Sequence, residues 1–285
     1  MKKYSEGIMR IVFMISATVS IIAVIAICFF LFTAGLPAIG EIGVLNFLGG
    51  DLWKPLEGHF GIFPMIIGSI YVTAGAIVVG VPIGLLCAIF MAKFCPAKLY
   101  HILKPAIDLL AGIPSIVYGF FGLMVIVPVV QQLFNVASGK GVLTASLLLG
   151  IMILPTIVSV SEAAIRAVPE SYYEGALALG ATHERSVFFA VIPAAKSGIM
   201  AGIILGVGRA IGETMAVVMI AGNQPILPDS ILSGVRTMTA NIVLEMGYAA
   251  EGLHRDALIA TAVVLFVFIL IINISFSLLK RRGSK

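Results

Sequence analysis

The chain has 285 residues, of which 60% are hydrophobic and 11% charged, and its formal net charge is +4. Soluble domains carry about 25% charged residues, and so few charges cannot cover a surface exposed to water. The composition therefore excludes a soluble enzyme and a disordered chain, and it predicts an all-α protein in a lipid bilayer. Because the basic residues are not gathered into a patch with aromatic neighbours, nucleic acid is not expected as a partner.

Six hydrophobic stretches are long enough to cross the hydrocarbon core of a membrane, which takes about 20 helical residues. They cover residues 11–36, 64–92, 108–134, 142–162, 196–222 and 257–279. The first follows basic residues, as a secretory signal does, but it is longer than a signal core and no A-x-A-like site follows it. We therefore expect six transmembrane helices in a single transmembrane domain, residues 1–285.

Lysine and arginine residues predict the orientation, because cytoplasmic loops carry an excess of both. With the N-terminus inside, thirteen of the 18 basic residues fall on the cytoplasmic side and four on the outer side. The cytoplasmic set is Lys2, Lys3, Arg10, Lys93, Lys98, Lys104, Arg166, Arg185, Lys196, Lys280, Arg281, Arg282 and Lys285. The outer set is Lys54, Lys140, Arg236 and Arg255. We therefore expect both termini in the cytoplasm.

Two outer segments, 37–63 and 223–256, are long enough to hold structure of their own. The first carries Trp53 and His59, and the second carries several acidic residues, Glu245 among them. Either segment could dock an external partner. Solvated loops with aromatic residues at the membrane interface explain the same pattern, so both interpretations stay open.

The inner segment, residues 163–195, carries the signals of two helices joined by a tight turn. Pro169 suits the first position of a helix. Gly180 suits a left-handed C-terminal cap, and Thr182 can cap a second helix that runs toward Pro193. We expect this helix-turn-helix on the cytoplasmic face, where a short helix can fit a groove of a partner protein.

The inner segment also resembles the EAA loop of ABC-transporter permeases in residues and spacing. The matching run is Glu174-x-Ala176-x-x-x-Gly180, then nine residues, then Ala190-x-Ile192-Pro193. The family pattern is EAA, three residues, G, nine residues and I-x-L-P, and the resemblance implies that the loop docks on an ATPase subunit. The chain departs from that pattern at Gly175, Ala190 and Ile192. The resemblance assigns ATPase coupling to Glu174, Ala176, Gly180 and Pro193.

The resemblance covers nearly the whole chain and points to the permeases of phosphate-specific ABC importers, the PstC type. The segments that carry it are 112–119, 152–156, 193–198 and 208–217. It implies a type I ABC importer permease (MetI-like) fold, in a bacterial or archaeal cytoplasmic membrane, that imports inorganic phosphate at the expense of ATP. It also implies three protein partners: a homologous PstA-type permease, a dimer of PstB-type ATPase subunits and an extracytoplasmic phosphate-binding protein of the PstS type.

Arg209 and Glu213 place charge deep inside the fifth hydrophobic stretch, where charge is costly and usually faces a pathway or a partner. Four residues apart on a helix, they would share a face, so we expect an ion pair. A guanidinium matches two phosphate oxygens at once, so we assign Arg209 the anion contact and Glu213 the role of fixing or releasing it. In the permeases that the chain resembles, this pair belongs to the translocation path. A structural ion pair that locks two helices is the alternative.

Small residues recur every four positions in the same stretch. The positions are Gly198, Gly202 and Gly206, and then Gly208 and Gly212. Such spacing predicts close contact between this helix and its neighbours.

Several catalytic patterns do not occur in the sequence. It has no G-x-x-x-x-G-K-[ST] phosphate cradle, so ATP is expected to be hydrolysed by a separate subunit. It also lacks H-E-x-x-H and G-x-S-x-G. We therefore expect a transport subunit, not an enzyme, with no cofactor and no metal.

Two alternatives to phosphate import remain open on the sequence. A permease for another oxyanion or small solute would share every feature above. An ion-driven carrier or channel would use Arg209 and Glu213 as an ion relay. It would work without an ATPase, and such carriers often contain an inverted repeat, for which the sequence offers no convincing sign.

Overall fold

The computed structural model describes residues 2–282. Its first helices are α1 Lys2–Ile42, α2 Val44–Gly49, α3 Phe63–Ile89, α4 Ala97–Gly112, α5 Ser115–Phe121, α6 Val127–Phe134 and α7 Val142–Arg166. The remaining helices are α8 Glu170–Ala178, α9 His183–Ser186, α10 Ile192–Gly212, α11 Met215–Ile220, α12 Met238–Met246 and α13 Leu253–Arg282. Two short strands, β1 Trp53–Lys54 and β2 His59–Phe60, pair antiparallel around the 3₁₀ turn Pro55–Glu57.

Three π-helical turns continue some of these helices: Phe90–Phe94 after α3, Gly122–Ile126 between α5 and α6, and Val187–Val191 between α9 and α10. Within residues 2–282, six helical runs are long and apolar enough to cross a membrane. They are Met9–Ile42, Phe63–Phe94, Ser115–Phe134, Val142–Arg166, His183–Gly212 and Leu253–Ser275. The prediction of an all-α protein with six spans is therefore confirmed, although several ends differ.

The third predicted stretch, 108–134, is wrong at its start. Helix α4 ends at Gly112, Ile113 and Pro114 have extended backbones, and the membrane-length run begins at Ser115. Proline lacks a backbone N–H and pushes the preceding residue out of the helical region, so the chain breaks here. Residues 97–112 instead form a separate helix that packs against α7.

The fifth predicted stretch, 196–222, is wrong at both ends. The helical run starts at His183, so the second helix of the inner segment continues directly into the span. Pro193 does not end it, because the π-helical turn Val187–Val191 precedes the proline, and Pro193 sits in the first turn of α10. At the other end the chain leaves the helix at Glu213 and resumes as the short α11.

The core of the protein lies where α3 and α10 pack against the central helix α7. A Cβ added at Gly80 of α3 would lie 2.7 Å from the Gly150 carbonyl oxygen, and one at Gly206 of α10 would lie 2.8 Å from Ile157. Gly198 and Gly202 also face α7 at close range. The predicted close packing is thus confirmed for Gly198, Gly202 and Gly206. It is wrong for Gly208 and Gly212, where an added Cβ would meet no described atom within 4 Å.

Both outer segments are folded over the outer ends of the spans. Phe47, Trp53 and Phe60 from the first segment are buried together with Met238 from the second and Leu258 from α13. Apolar side chains of this size stay buried because their transfer out of water is favourable. The two outer segments therefore form one small structured layer.

Candidate functional site

The turn of the inner segment has the geometry that its sequence predicts. Gly180 has φ +83°, the left-handed conformation that glycine adopts without strain. The N–H of Ala181 donates to the carbonyl of Ala176 at 3.1 Å and so closes the end of α8. The Thr182 hydroxyl accepts a hydrogen bond from the N–H of Arg185 at 3.4 Å and caps α9. The predicted helix-turn-helix is confirmed.

One side of this helix-turn-helix is open. No residue of α8 is buried, and Leu179 at its end is 91% exposed. The four residues assigned to ATPase coupling lie on or beside this surface: Glu174, Gly180 and Pro193 are exposed and Ala176 is half-buried. A cleft of about 320 Å³ separates the two helices and is lined by Ala176, Ala181, Arg185, Phe189 and Ala190. An apolar surface of this kind suits contact with another protein.

The other side of the helix-turn-helix is attached to the inner end of the second span. The Tyr173 hydroxyl and His183 Nδ1 are 2.7 Å apart, and the His183 ring meets Phe94 edge-on at 4.8 Å. Lys93 lies 3.5 Å from the Glu170 carboxylate and 5.5 Å from the centre of the Tyr173 ring. These side chains therefore connect α8 and α9 to the end of the second span.

A buried carboxylate, Glu162, joins α4 to the inner end of α7. Its oxygens accept hydrogen bonds from the Tyr100 hydroxyl at 2.8 Å and from Arg166 Nε at 2.7 Å, and Lys104 lies at 3.5 Å. The hydrogen bond to Glu162 raises the pKa of Tyr100 above its usual range. Sequence reasoning missed this cluster. Only the four-residue spacing of Glu162 and Arg166 could have indicated part of it.

Arg209 lies in the last turn of α10, not at the middle of a continuous helix. It is half-buried, and its guanidinium lies 3.4 Å from the Thr156 hydroxyl of α7. Among the described side chains, no carboxylate lies within 4.0 Å of it. The partial negative charge at the C-terminal end of α10 helps to stabilise the cation there.

The predicted ion pair between Arg209 and Glu213 is wrong. Glu213 follows the end of α10 and has an extended backbone, with ψ 132°, so the two side chains no longer share a helical face. Its carboxylate turns the other way and accepts hydrogen bonds from the N–H groups of Thr214 at 3.1 Å and Ala216 at 3.2 Å. Glu213 thus caps α11, where a negative charge is stabilised by the unpaired N–H groups of the first turn.

The break between α10 and α11 is open on one side. Gly208 and Gly212 are one helical turn apart on α10, and an added Cβ at either would meet no described atom within 4 Å. Arg209 lies between them in sequence. Non-helical backbone inside a membrane needs protein or water to satisfy its polar groups, and the open side of this break leaves room for such a contact.

A second buried carboxylate, Glu245, lies in the outer layer. It is 5% exposed, and its oxygens are bound by Arg236 at 2.6 Å, by the indole N–H of Trp53 at 2.8 Å and by His254 at 3.0 Å. Sequence reasoning placed these residues on the outer side but did not connect them. Trp53 and Glu245 are 192 positions apart, so no local pattern joins them.

The described residues do not gather three or more His, Cys, Asp or Glu side chains into a group that could hold a metal ion. The polar groups at the α10–α11 break are the guanidinium of Arg209 with the Thr156 hydroxyl beside it, and the Glu213 carboxylate, which is engaged by backbone N–H groups. The guanidinium has the charge and the donors that suit an anion.

Comparison with known proteins identifies the family of the chain. Residues 80–285 match the family described as "Binding-protein-dependent transport system inner membrane component". The chain is 37% identical over 273 residues to YqgH of Bacillus subtilis (strain 168), described as a probable ABC transporter permease, covering 93% of this chain and 88% of that one. It is 35% identical over 261 residues to the phosphate transport system permease protein PstC of Mesorhizobium japonicum (strain LMG 29417 / CECT 9101 / MAFF 303099), covering 85% and 80%.

A solved structure shares the fold. The inward-facing MetNI methionine ABC transporter superposes with a TM-score of 0.62 at 18% identity, over 82% of this chain and all of that chain. The expected type I importer fold is confirmed. With six membrane-length helices in the described part of the chain and a family match over more than half its length, the chain is a multi-pass membrane protein that belongs to the family of binding-protein-dependent transport system inner membrane components.

Proposed function

We propose that this chain is the permease subunit of an ATP-driven importer and that it carries inorganic phosphate inward across the cytoplasmic membrane. The observation that carries the proposal is Arg209, a half-buried guanidinium at a broken membrane helix with no carboxylate partner among the described side chains. The relative named as a phosphate transport permease supports the choice of phosphate. ATP hydrolysis belongs to a separate ATPase subunit.

Phosphate fits the chemistry around Arg209. A guanidinium stays charged at neutral pH and can donate two parallel hydrogen bonds to phosphate oxygens. The Thr156 hydroxyl beside it offers a further donor. Because no carboxylate competes for the guanidinium within the described part of the chain, its donors are available to a transient anion.

The four-residue spacing of Arg209 and Glu213 suggests an ion pair, but in this proposal Glu213 has a different role. Its carboxylate is engaged by the N–H groups of Thr214 and Ala216. Those bonds compensate its negative charge, which reduces the repulsion of a nearby anion. We therefore assign Glu213 the role of holding the α10–α11 break in shape beside Arg209.

Two exposed faces of the chain support the choice of partners in this proposal. The open side of the inner segment, with Glu174, Ala176, Gly180 and Pro193, suits a subunit of a PstB-type ATPase dimer. A homologous PstA-type permease would complete the membrane unit. An extracytoplasmic phosphate-binding protein of the PstS type would deliver phosphate to the outer layer, in line with the family's dependence on a binding protein.

Replacing Arg209 tests the proposal. In cells whose phosphate uptake depends on this system, Arg209→Gln should lower uptake of radiolabelled phosphate by about tenfold or more, because one hydrogen bond to a charged group is worth about 1.5–3 kcal/mol. Arg255→Gln is the matched control, since Arg255 is half-exposed and pairs, among the described side chains, only with the exposed Glu251. Near-normal uptake by Arg209→Gln, with the complex assembled, would show that Arg209 does not contact the solute.

Competition separates phosphate from other solutes. Excess arsenate, which has the shape and charge of phosphate, should suppress uptake of the label, whereas sulfate and molybdate should have little effect. If either of the latter competes as well as unlabelled phosphate does, the chain serves another oxyanion.

A further inference from the structure

Glu245 connects three parts of the outer layer through one buried carboxylate. Trp53 belongs to the outer hairpin, residues 53–60, Arg236 precedes α12, and His254 lies in the first turn of α13. A carboxylate that is 5% exposed is stable only where such donors replace its water. The last turn of α12, which carries Glu245, is therefore fixed to the outer hairpin.

The first turn of α12 reaches the broken span. The Thr239 hydroxyl donates to the backbone carbonyl of Glu213 at 3.1 Å, and the N–H of Met238 donates to the Ser69 hydroxyl of α3 at 3.0 Å. Thr239 and Glu245 are six residues apart, about 9 Å along a helix. One short helix thus links the outer hairpin to the residue that follows α10, four positions after Arg209.

The outer hairpin is open to the outside on its other face. Leu56 at its turn is fully exposed, and the neighbouring Lys54–Glu57 ion pair, 3.1 Å long, is exposed as well. Trp53 points inward and is 5% exposed. A protein that engages the outer face can therefore press on the hairpin without touching Glu245.

We propose that Glu245 is a positioning residue for transport: through α12 it makes the geometry of the Glu213 break depend on the position of the outer hairpin. The inference rests on the function proposed above. When the binding protein engages the hairpin, Trp53, Glu245, Thr239 and the Glu213 carbonyl shift together, and the site beside Arg209 opens or closes with them.

The test removes one side-chain hydrogen-bonding group at each end of α12 and leaves Glu245 in place, because Glu245→Gln would leave Arg236 buried without a counter-charge. Trp53→Phe keeps an aromatic ring in the core and removes the indole donor. Thr239→Val keeps the branched shape and removes the hydroxyl that holds the Glu213 carbonyl and that also bonds the Thr237 hydroxyl at 3.0 Å. Thr261→Val is the control, since Thr261 is fully buried and its hydroxyl donates to Ala257 of its own helix, at 2.8 Å.

The first measurement is phosphate transport by the full complex in proteoliposomes, titrated with phosphate-loaded binding protein. Trp53→Phe should lower the maximal rate by about tenfold, the factor that matches the loss of one hydrogen bond of about 1.4 kcal/mol. Thr239→Val, which loses two hydrogen bonds, should lower it by at least as much. The concentration of binding protein at half-maximal rate should stay within about twofold of wild type. The double variant should be no slower than the slower single variant, because both changes break one connection.

The second measurement does not depend on what is transported. Hydrogen exchange of the amides of Thr214 and Ala216, which Glu213 holds, should become faster in Trp53→Phe and Thr239→Val and stay unchanged in Thr261→Val. Unchanged exchange in Trp53→Phe would overturn the inference, whatever the solute. The inference would also be overturned if the two losses of rate multiply in the double variant. The same holds if the losses of rate only follow the amount of assembled complex. If wild type moves no phosphate but exchange responds as described, the proposed substrate is wrong and the link through α12 stands.

Discussion

Gly175 and Gly180 lie five positions apart on the inner segment, and only one of them has a backbone conformation that requires glycine. Gly180 has φ +83°, whereas Gly175 lies inside α8 with ordinary helical geometry, and an added Cβ at either position would meet no described atom within 4 Å. A side chain at Gly180 is therefore opposed by backbone strain and not by lack of space. At Gly175 the same change favours the helix.

Alanine at these two positions should have opposite effects on ATPase docking. Gly180→Ala should weaken co-purification of the ATPase with the tagged permease, because a left-handed alanine costs about 1–2 kcal/mol and distorts the turn. Gly175→Ala should leave co-purification unchanged or strengthen it, since alanine is favoured in a helix by about 0.5–1 kcal/mol. Equal recovery of the ATPase from both variants would refute the docking role of this turn.

For single residues, the sequence predicted the local structure that depends on near neighbours in the chain. Pro169, Gly180 and Thr182 act within one turn of chain, so the helix-turn-helix could be predicted from them. The orientation of Glu213 could not, because it depends on α10 ending one residue earlier, and no proline marks that end. The contacts of Glu245 depend on residues brought together only by the fold.

At the level of helices, α10 packs against α7 through one face and leaves another open. Gly206 faces α7, with its added Cβ 2.8 Å from Ile157, while Gly208, two positions on, faces no described atom within 4 Å. In the sequence, Gly206 and Gly208 each belong to a run of glycines spaced four residues apart, so the pattern does not distinguish them. Only the rotation of α10 around its axis, set by packing on α7, decides which glycines are required.

Alanine substitutions on α10 should separate these two faces by their effect on stability. Gly206→Ala should lower the thermal midpoint of the purified chain in detergent, because overpacking a close helix contact costs about 1–3 kcal/mol. Gly208→Ala should leave the midpoint unchanged or raise it slightly, as alanine favours the helix. A lower midpoint for Gly208→Ala than for Gly206→Ala would show that α10 is rotated differently.

For the whole molecule, the six membrane-length helical runs within residues 2–282 followed from hydrophobic length alone, because the bilayer sets that length. The break at Glu213 did not, since a helix interrupted within an apolar stretch keeps its apolar composition. The break at Glu213 leaves Arg209 at the end of α10. The basic residues predict which ends of the spans are cytoplasmic, and this orientation can be tested directly.

Cysteine labelling in right-side-out vesicles should confirm the orientation. A membrane-impermeant maleimide should label Leu56→Cys at the fully exposed tip of the outer hairpin without permeabilisation. Lys98→Cys, exposed at the start of α4, should be labelled only after the vesicles are opened. The reverse pattern would place the termini outside and the inner segment out of reach of a cytoplasmic ATPase.

The central claim is that the chain moves phosphate as part of an ATP-driven importer. The measurement that tests it most directly is phosphate accumulation by proteoliposomes that contain the chain with a PstA-type permease and PstB-type ATPase subunits, supplied with phosphate-binding protein. We predict accumulation that requires ATP and the binding protein and that is lost with Arg209→Gln. Accumulation that persists without ATP, driven by an ion gradient alone, would contradict the account.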